Sequence, residues 1–211
     1  MYRECAVWMN SCHSRTVDTA LNTTMRIVSG TVRSTPTTWL PALSNIAPPH
    51  LQRKKALMRE YTKATSDRSQ PLFNDLKERV PARLKSRKPP LRTAEVLASS
   101  GFSLDQAWKD EWTESGLTSP LFTFGRDRRD EFTLPRREWT NLNRLRSKHG
   151  RCAEMMHKWR LTEDPSCPCG HPSQTIEHMM NDCPLSKFDG PLEEIIDLTP
   201  RAREWLQTLQ L

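Results

Sequence analysis

The strongest constraint on this chain is a group of three cysteines and a histidine near residue 175. The run CPCGHPSQTIEHMMNDC places Cys167, Cys169, His178 and Cys183 at C-x-C-x8-H-x4-C spacing. Thiolates and a neutral imidazole are ligands that zinc prefers, and structural zinc sites use four protein ligands in a tetrahedral arrangement. The spacing therefore predicts a structural zinc site, which leaves no open position for water or substrate.

The residues between the ligands predict how the chain brings them together. In an extended step from Cys167 to Cys169 both thiolates project to the same side. Ser173 can cap a short helix over residues 174–180, which Asn181 and Asp182 then end.

Two residues compete for the imidazole position. His171 lies only two residues after Cys169 and precedes Pro172. We therefore favour His178.

Two alternatives for the cysteines stay open, namely disulfides and buried thiols without a metal. The N-terminal run MYRECAVWMN contains no apolar signal segment, and no stretch reaches the roughly 18 apolar residues of a membrane span. A reducing intracellular compartment, nucleus or cytoplasm, is therefore expected, and it disfavours disulfides. Cys5, Cys12 and Cys152 lack ligand spacing and are interpreted as ordinary small core residues.

Helical periodicity accounts for most of the sequence, and no strand pattern competes with it. The segments with apolar residues at helical spacing are 17–28, 49–63, 135–148 and 199–209, with a further short helix around Phe73 to Val80. Sixteen prolines against seven glycines indicate short, interrupted elements. We expect a mainly α fold with a helical segment over 1–66, a basic then acidic connector over 67–130, and a C-terminal basic helix with the zinc unit over 131–211.

Basic charge is concentrated in two tracts. Residues 51–92 contain 13 Lys or Arg against 4 Asp or Glu, and residues 126–160 contain 11 against 5, a distribution typical of a nucleic-acid surface. On the predicted helices, periodicity places a set of cations opposite the apolar face: Lys55, Arg59 and Lys63 on the second helix, and Arg136, Arg137, Arg144 and Lys148, with Asn141, on the third. Lys158, Arg160 and Lys187 flank the zinc unit. These residues are the candidate phosphate contacts, and a merely solvated charged face is the alternative.

Two longer runs resemble a known family. CAVWMNSCHSRTVDTALNTTMRIVSGTVRSTPTTWLPALSNIAPPHLQRKKALMREY is similar to the thumb region that follows the palm in non-LTR retrotransposon reverse transcriptases, particularly jockey-like elements. EWTNLNRLRSKHGRCAEMMHKWRLTEDPSCPCGHPSQTIEHMMNDCPL resembles their C-terminal segment with its Cys-Cys-His-Cys zinc knuckle.

The resemblance implies a parent polypeptide with RNA-directed DNA polymerase activity that handles element RNA and target DNA. This chain departs from that pattern because it has no two adjacent aspartates and no room before Tyr2 for fingers and palm. Two-metal phosphoryl transfer needs carboxylates that hold both ions. We therefore expect a noncatalytic fragment that binds RNA or DNA backbone.

Three other classes remain as alternatives. The chain is a zinc-stabilised protein-interaction module, or a Cys/His hydrolase that uses Cys152 or Cys12, or a decayed element fragment without function. Neither cysteine has a general base at an informative spacing, although Cys12 adjoins His13.

Overall fold

The computed structural model describes residues 9–69, 73 and 90–211, and it confirms that the chain is mainly helical. The helices are α1 Ser14–Ser29, α2 Trp39–Ser44, α3 Pro49–Ser66, α4 Pro90–Ser99, α5 Leu104–Glu114, α6 Arg136–Ser147, α7 Ala153–Lys158, α8 Ile176–Asn181, α9 Leu192–Ile196 and α10 Pro200–Thr208, with a 3-10 turn at Arg129–Thr133. An isolated bridge between Ser119 and Phe122 is the only β-structure in these ranges. None of the described helices combines the length and the apolar character needed to cross a bilayer.

The helices divide into two compact units. One comprises Met1–Asn22 and Ala47–Glu114, and the other comprises Thr23–Ile46 and Ser115–Leu211. The three-part division expected from the sequence stays a prediction. The short helix expected around Phe73 to Val80 lies outside the described residues, apart from Phe73 itself, and so does Cys5.

The first unit is built around α3, which packs against α4 and α5. Leu51 and Leu57 are buried as the sequence predicts. The Arg53 guanidinium forms a two-pronged ion pair with the Asp18 carboxylate, with Nη2 to Oδ2 at 3.0 Å. The α3 backbone is therefore held on its inner side by both apolar packing and an ion pair.

The second unit has one hydrophobic core to which α6, α8, α9 and α10 all contribute. Its central buried residues include Leu142 and Leu145 of α6, Met179 of α8, Ile195 of α9 and Leu206 of α10. Thr199 caps α10 by accepting a hydrogen bond from the Ala202 amide, as its position before Pro200 predicts.

Gly30 ends α1 where the sequence predicts and also permits a close approach to α6. Its φ of 72° lies in the left-handed region, which glycine adopts without strain. A Cβ at this position would collide with the Thr140 side chain. Of the apolar residues on the predicted face of α1, Met25 is buried, whereas Val17 and Val28 are exposed.

A buried carboxylate links α6 to α10. The Glu138 side chain is 1% exposed, and its two oxygens accept hydrogen bonds from Arg203 Nε and Gln207 Nε2, each at 2.8 Å. Burial alone would raise the pKa of Glu138, but the hydrogen bonds from Arg203 and Gln207 outweigh it and hold the pKa below its ordinary value of 4.5.

This arrangement predicts a specific acid dependence. Because the pKa of Glu138 is lower in the folded chain, its contribution to stability is fully present above about pH 4.5 and is lost as the pH falls through the folded pKa. Glu138→Gln should destabilise the fold by about 1–3 kcal/mol at pH 7. The difference from wild type should shrink below pH 4.5. Urea unfolding between pH 3 and pH 7 measures it, and a difference independent of pH contradicts the prediction.

A second buried charge cluster lies beside α6. Arg146 is 2% exposed, and its two terminal nitrogens donate to the Glu131 carboxylate, each at 2.7 Å, while its Nε donates to the Leu121 carbonyl at 2.9 Å. Arg128 donates to the Ala42 carbonyl at 2.6 Å and lies 3.7 Å from Glu131. Two buried guanidiniums therefore share one carboxylate.

Candidate metal centre

The four predicted ligands come together in the structure. Their ligand atoms, three Sγ atoms and one imidazole nitrogen, all lie within 4.8 Å of one another. The Sγ atoms of Cys167 and Cys183 are 3.6 Å apart, and Cys169 Sγ is 3.2 Å from His178 Nε2. Tetrahedral zinc bonds of about 2.3 Å to sulfur and about 2.0 Å to nitrogen require separations of about 3.8 Å and about 3.5 Å. The side chains are therefore already close to the geometry of a four-ligand site.

The first two ligands lie on a tight turn, so the expected extended step between Cys167 and Cys169 is wrong. The Gly170 amide donates to the Cys167 carbonyl at 2.8 Å, and the Cys167 amide donates to the His171 carbonyl at the same distance. Gly170 has a φ of 94°, which only glycine adopts easily. The turn brings both sulfurs to one side by reversing the chain around Pro168.

The other two ligands are positioned by the short helix α8. The predicted cap is wrong by two residues, since Thr175 Oγ1, and not Ser173, accepts from the His178 amide at 3.0 Å. The helix begins later than expected because the Gln174 amide donates to the Pro165 carbonyl, at 2.8 Å, and is held outside α8. The helix ends at Asn181, one residue beyond the predicted Met180, and the Cys183 amide then folds back to the His178 carbonyl at 2.8 Å.

His178, and not His171, belongs to the cluster, as predicted. The His178 residue is 6% exposed, whereas His171 is exposed and its Nδ1 lies 2.8 Å from the Ser173 carbonyl. The two rings stack with centroids 4.2 Å apart and an interplanar angle of 16°. His171 therefore covers the imidazole that faces the sulfurs.

The thiols influence one another electrostatically. Burial opposes ionisation of Cys183, but hydrogen bonds from Ser186, the Leu185 backbone and the neighbouring thiols lower its pKa to about 6. The pKa of Cys169 is raised: the His171 backbone amide favours its thiolate, but desolvation and the adjacent Cys167 and Cys183 sulfurs prevail. One sulfur thus ionises readily and disfavours a second negative charge beside it, an arrangement that a divalent cation relieves.

The cluster is attached to the core of the second unit. Ile176, Met179 and Met180 of α8 are buried in that core. Beyond Cys183, the Ser186 hydroxyl donates to the Met179 carbonyl at 3.1 Å, and Trp205 Nε1 donates to the Ser186 carbonyl at 2.8 Å. One side of the metal centre is therefore held by α10 independently of any ion.

The candidate nucleic-acid residues fall into two groups. Those with exposed side chains, as predicted, are Lys55, Arg59 and Lys63 on α3 and Lys158 and Arg160 at the end of α7. Arg59 and Lys63 both contact Glu60, and Lys158 pairs with Glu154 at 2.8 Å. Such exposed pairs are weak and leave the cations available to phosphate.

The α6 residues have internal partners instead. Asn141 is buried and donates to the Leu206 and Leu209 carbonyls, so the expectation that it lies on an outer face is wrong. Arg144, half-buried, donates to the carbonyls of Gly30 and Leu211. The side of α6 expected to be open is partly packed, because residues 27–30 and 206–211 lie against it.

Three other α6 cations are exposed but engaged. Arg136 donates to the Ile27 and Val28 carbonyls, Arg137 donates to the Leu209 carbonyl at 3.3 Å, and Lys148 pairs with Glu177. A phosphate contact by these residues stays a prediction.

Sequence reasoning missed one residue beside the centre. The Gln174 side chain lies between Cys167 and the N-terminus of α7. Only its position within the ligand spacing could have indicated this contact.

Comparison with known proteins gives no relative for this geometry. No protein-family model, curated protein or solved structure matches the chain.

Proposed function

We propose that Cys167, Cys169, His178 and Cys183 bind one structural zinc ion. The proposal is carried by the proximity of their ligand atoms, all within 4.8 Å. The donor set fits the ion, since three sulfurs and one imidazole match its preferences and four protein ligands complete its coordination. A zinc ion with three thiolates has one net negative charge, so phosphate contacts fall to nearby cations and not to the metal.

We further propose that the chain is a noncatalytic part of a reverse transcriptase of the non-LTR, jockey-like type that binds RNA or DNA backbone. Support comes from the similarity of its Cys-Cys-His-Cys segment to that family and from the cations exposed on α3 and at the end of α7. Binding through phosphate is electrostatic and depends weakly on sequence. The zinc then serves to shape the fold and takes no part in a reaction.

The α3 face gives the direct test of nucleic-acid binding. Neutralising Lys55, Arg59 and Lys63 together to Gln should weaken binding to structured RNA, single-stranded DNA and duplex DNA. The slope of log affinity against log salt should fall by about 2–3, because each phosphate contact contributes about 0.7–0.9 to it. Gel-shift titrations over a salt series, with and without a chelator, measure this effect.

A matched control removes the same formal charge elsewhere in the first unit. Arg15, Arg92 and Lys109 are exposed, and replacing all three with Gln should leave the salt slope within about one contact of wild type. Equal losses in both triple variants would indicate a response to net charge alone. Binding that ignores salt would favour the protein-interaction alternative.

A further inference from the structure

Gln174 connects the candidate metal centre with α7 through both ends of its side chain and its main-chain oxygen. Its side-chain oxygen accepts from the Ala153 amide at 2.9 Å, and its main-chain oxygen accepts from the Glu154 amide at 3.2 Å. With Oε1 facing the Ala153 amide, Nε2 faces the Cys167 sulfur, 3.7 Å away. The Gln174 amide meanwhile donates to the Pro165 carbonyl.

The N-terminus of α7 depends on these contacts. The first amides of a helix have no acceptor within the helix and need an outside partner. The residue before α7 is Cys152, whose side chain makes no capping hydrogen bond. Gln174 therefore supplies from another part of the chain the two acceptors that a capping side chain and water normally provide.

The contact between Gln174 Nε2 and Cys167 Sγ depends on whether the sulfur binds a metal. Cys167 is buried, so a thiolate there is poorly solvated and gains from an N–H donor. Groups that hydrogen-bond to metal ligands orient them, and losing such a group typically costs about 10–100-fold in metal affinity. A metal-bound thiolate at Cys167 would thus favour the orientation of the Gln174 side chain that caps α7.

The other end of α7 carries two of the exposed cations. Lys158 is its last residue, and Arg160 follows in a left-handed conformation with φ of 60°. The Arg160 amide donates to the His157 carbonyl at 2.8 Å, and the Leu161 amide donates to the Met156 carbonyl at 2.9 Å. Residues 157, 158 and 160–163 line an open surface groove. Its shape therefore depends on α7 being intact.

We propose that Gln174 is a positioning residue that couples metal binding at Cys167 to the order of α7, and through α7 to the cationic groove at residues 157–163. The inference rests on the proposed zinc site and deepens it. Lys158 and Arg160 outnumber Glu163, the one carboxylate that lines this groove, so polynucleotide phosphate is the ligand class that fits it. Metal loading then acts on nucleic-acid binding at a distance, without the ion touching the nucleic acid.

Two substitutions separate the contact of Gln174 with Cys167 from its contact with α7. Gln174→Glu keeps an acceptor for the Ala153 amide but replaces the donor to Cys167 with a negative charge, whereas Gln174→Met removes both. We expect zinc affinity, measured by competition with a chelator, to fall about tenfold or more in each variant. With cobalt(II) in place of zinc, the thiolate-to-metal charge-transfer band should shift in both variants but not in the control Gln210→Met.

Hydrogen exchange measures the effect of zinc on the order of α7. In the wild-type chain, zinc should increase protection of the 153–161 amides. In Gln174→Met the zinc dependence of that protection should be smaller than in wild type, because only the main-chain acceptor for the Glu154 amide remains. Gln174→Glu should retain more of the protection than Gln174→Met. Unchanged zinc affinity in both variants, or wild-type zinc dependence of the 153–161 amides in Gln174→Met, overturns the coupling.

Failure of the underlying zinc proposal gives a different result. A wild-type chain that binds neither zinc nor cobalt(II) refutes the metal site itself. Zinc binding with no effect at Gln174 refutes only the coupling.

Discussion

Cys169→Ser is expected to abolish stoichiometric zinc binding and to release the polypeptide around the metal centre. Serine oxygen is a poor zinc ligand, and apparent binding energies of complete structural zinc sites are about 10–16 kcal/mol at neutral pH. Cys169 is only partly buried, so the substitution itself creates no cavity in the core. Most of the expected loss therefore comes from the metal.

The structure also predicts which residues lose protection from hydrogen exchange and which keep it. The turn at 167–170 is closed by local main-chain hydrogen bonds, whereas Ile176 and Met179 are anchored in the core of the second unit. Protection from hydrogen exchange should fall over about residues 153–175, which include α7, and persist in α6 and α10. The loss of helicity should thus be small, because the last fifty residues share a core with α6.

Elemental analysis and hydrogen exchange with and without a chelator measure these effects. Cys12→Ser is the matched control: Cys12 lies outside the cluster and is exposed, so its interpretation as a core residue is wrong. It should retain zinc and wild-type protection. Less than stoichiometric zinc in the wild-type chain, or exchange over 153–175 that ignores the chelator, would contradict a structural metal.

The clustering of Cys167, Cys169, His178 and Cys183 could be predicted from the sequence because its determinants are local. All four ligands lie within one short run. The identity and spacing of the ligands restrict which metal can bind. The cap of α8 could not be predicted in the same way. Ser173 and Thr175 are both good capping residues, and the hydrogen bond from Gln174 to Pro165 decides between them.

The role of α6 illustrates the opposite case. Its bounds were predicted closely, because Pro135 and the apolar period define them, and the structure has Arg136–Ser147. The packing of its outer face could not be predicted, because charged residues are normally solvated. Whether a guanidinium meets solvent or a carbonyl depends on residues 27–30 and 206–211, which lie far away in sequence and carry no pattern that indicates their docking.

Glu131→Gln is expected to destabilise the second unit more than any single surface substitution. The change leaves Arg128 and Arg146 buried without a compensating charge, and breaking one partner of a buried ion pair typically costs about 3–5 kcal/mol. Burial already lowers the pKa of Arg128 to about 10. The negative charge of Glu131 acts to raise this pKa, and the positive charge of Arg146 acts to lower it further. Without Glu131 that opposing attraction is lost.

Arg146→Met should cost less than Glu131→Gln, because Glu131 then still lies 3.7 Å from Arg128. The double variant Glu131→Gln with Arg146→Met should be more stable than the sum of the two single changes predicts, since no unpaired partner of that pair remains. Hydrogen exchange of the α6 amides reports the free energies. The control is Arg129→Met, which breaks the exposed pair with Asp127 and should change stability by less than about 1 kcal/mol. Equal effects of Glu131→Gln and Arg129→Met would show that the cluster is hydrated and contributes no more than a surface ion pair.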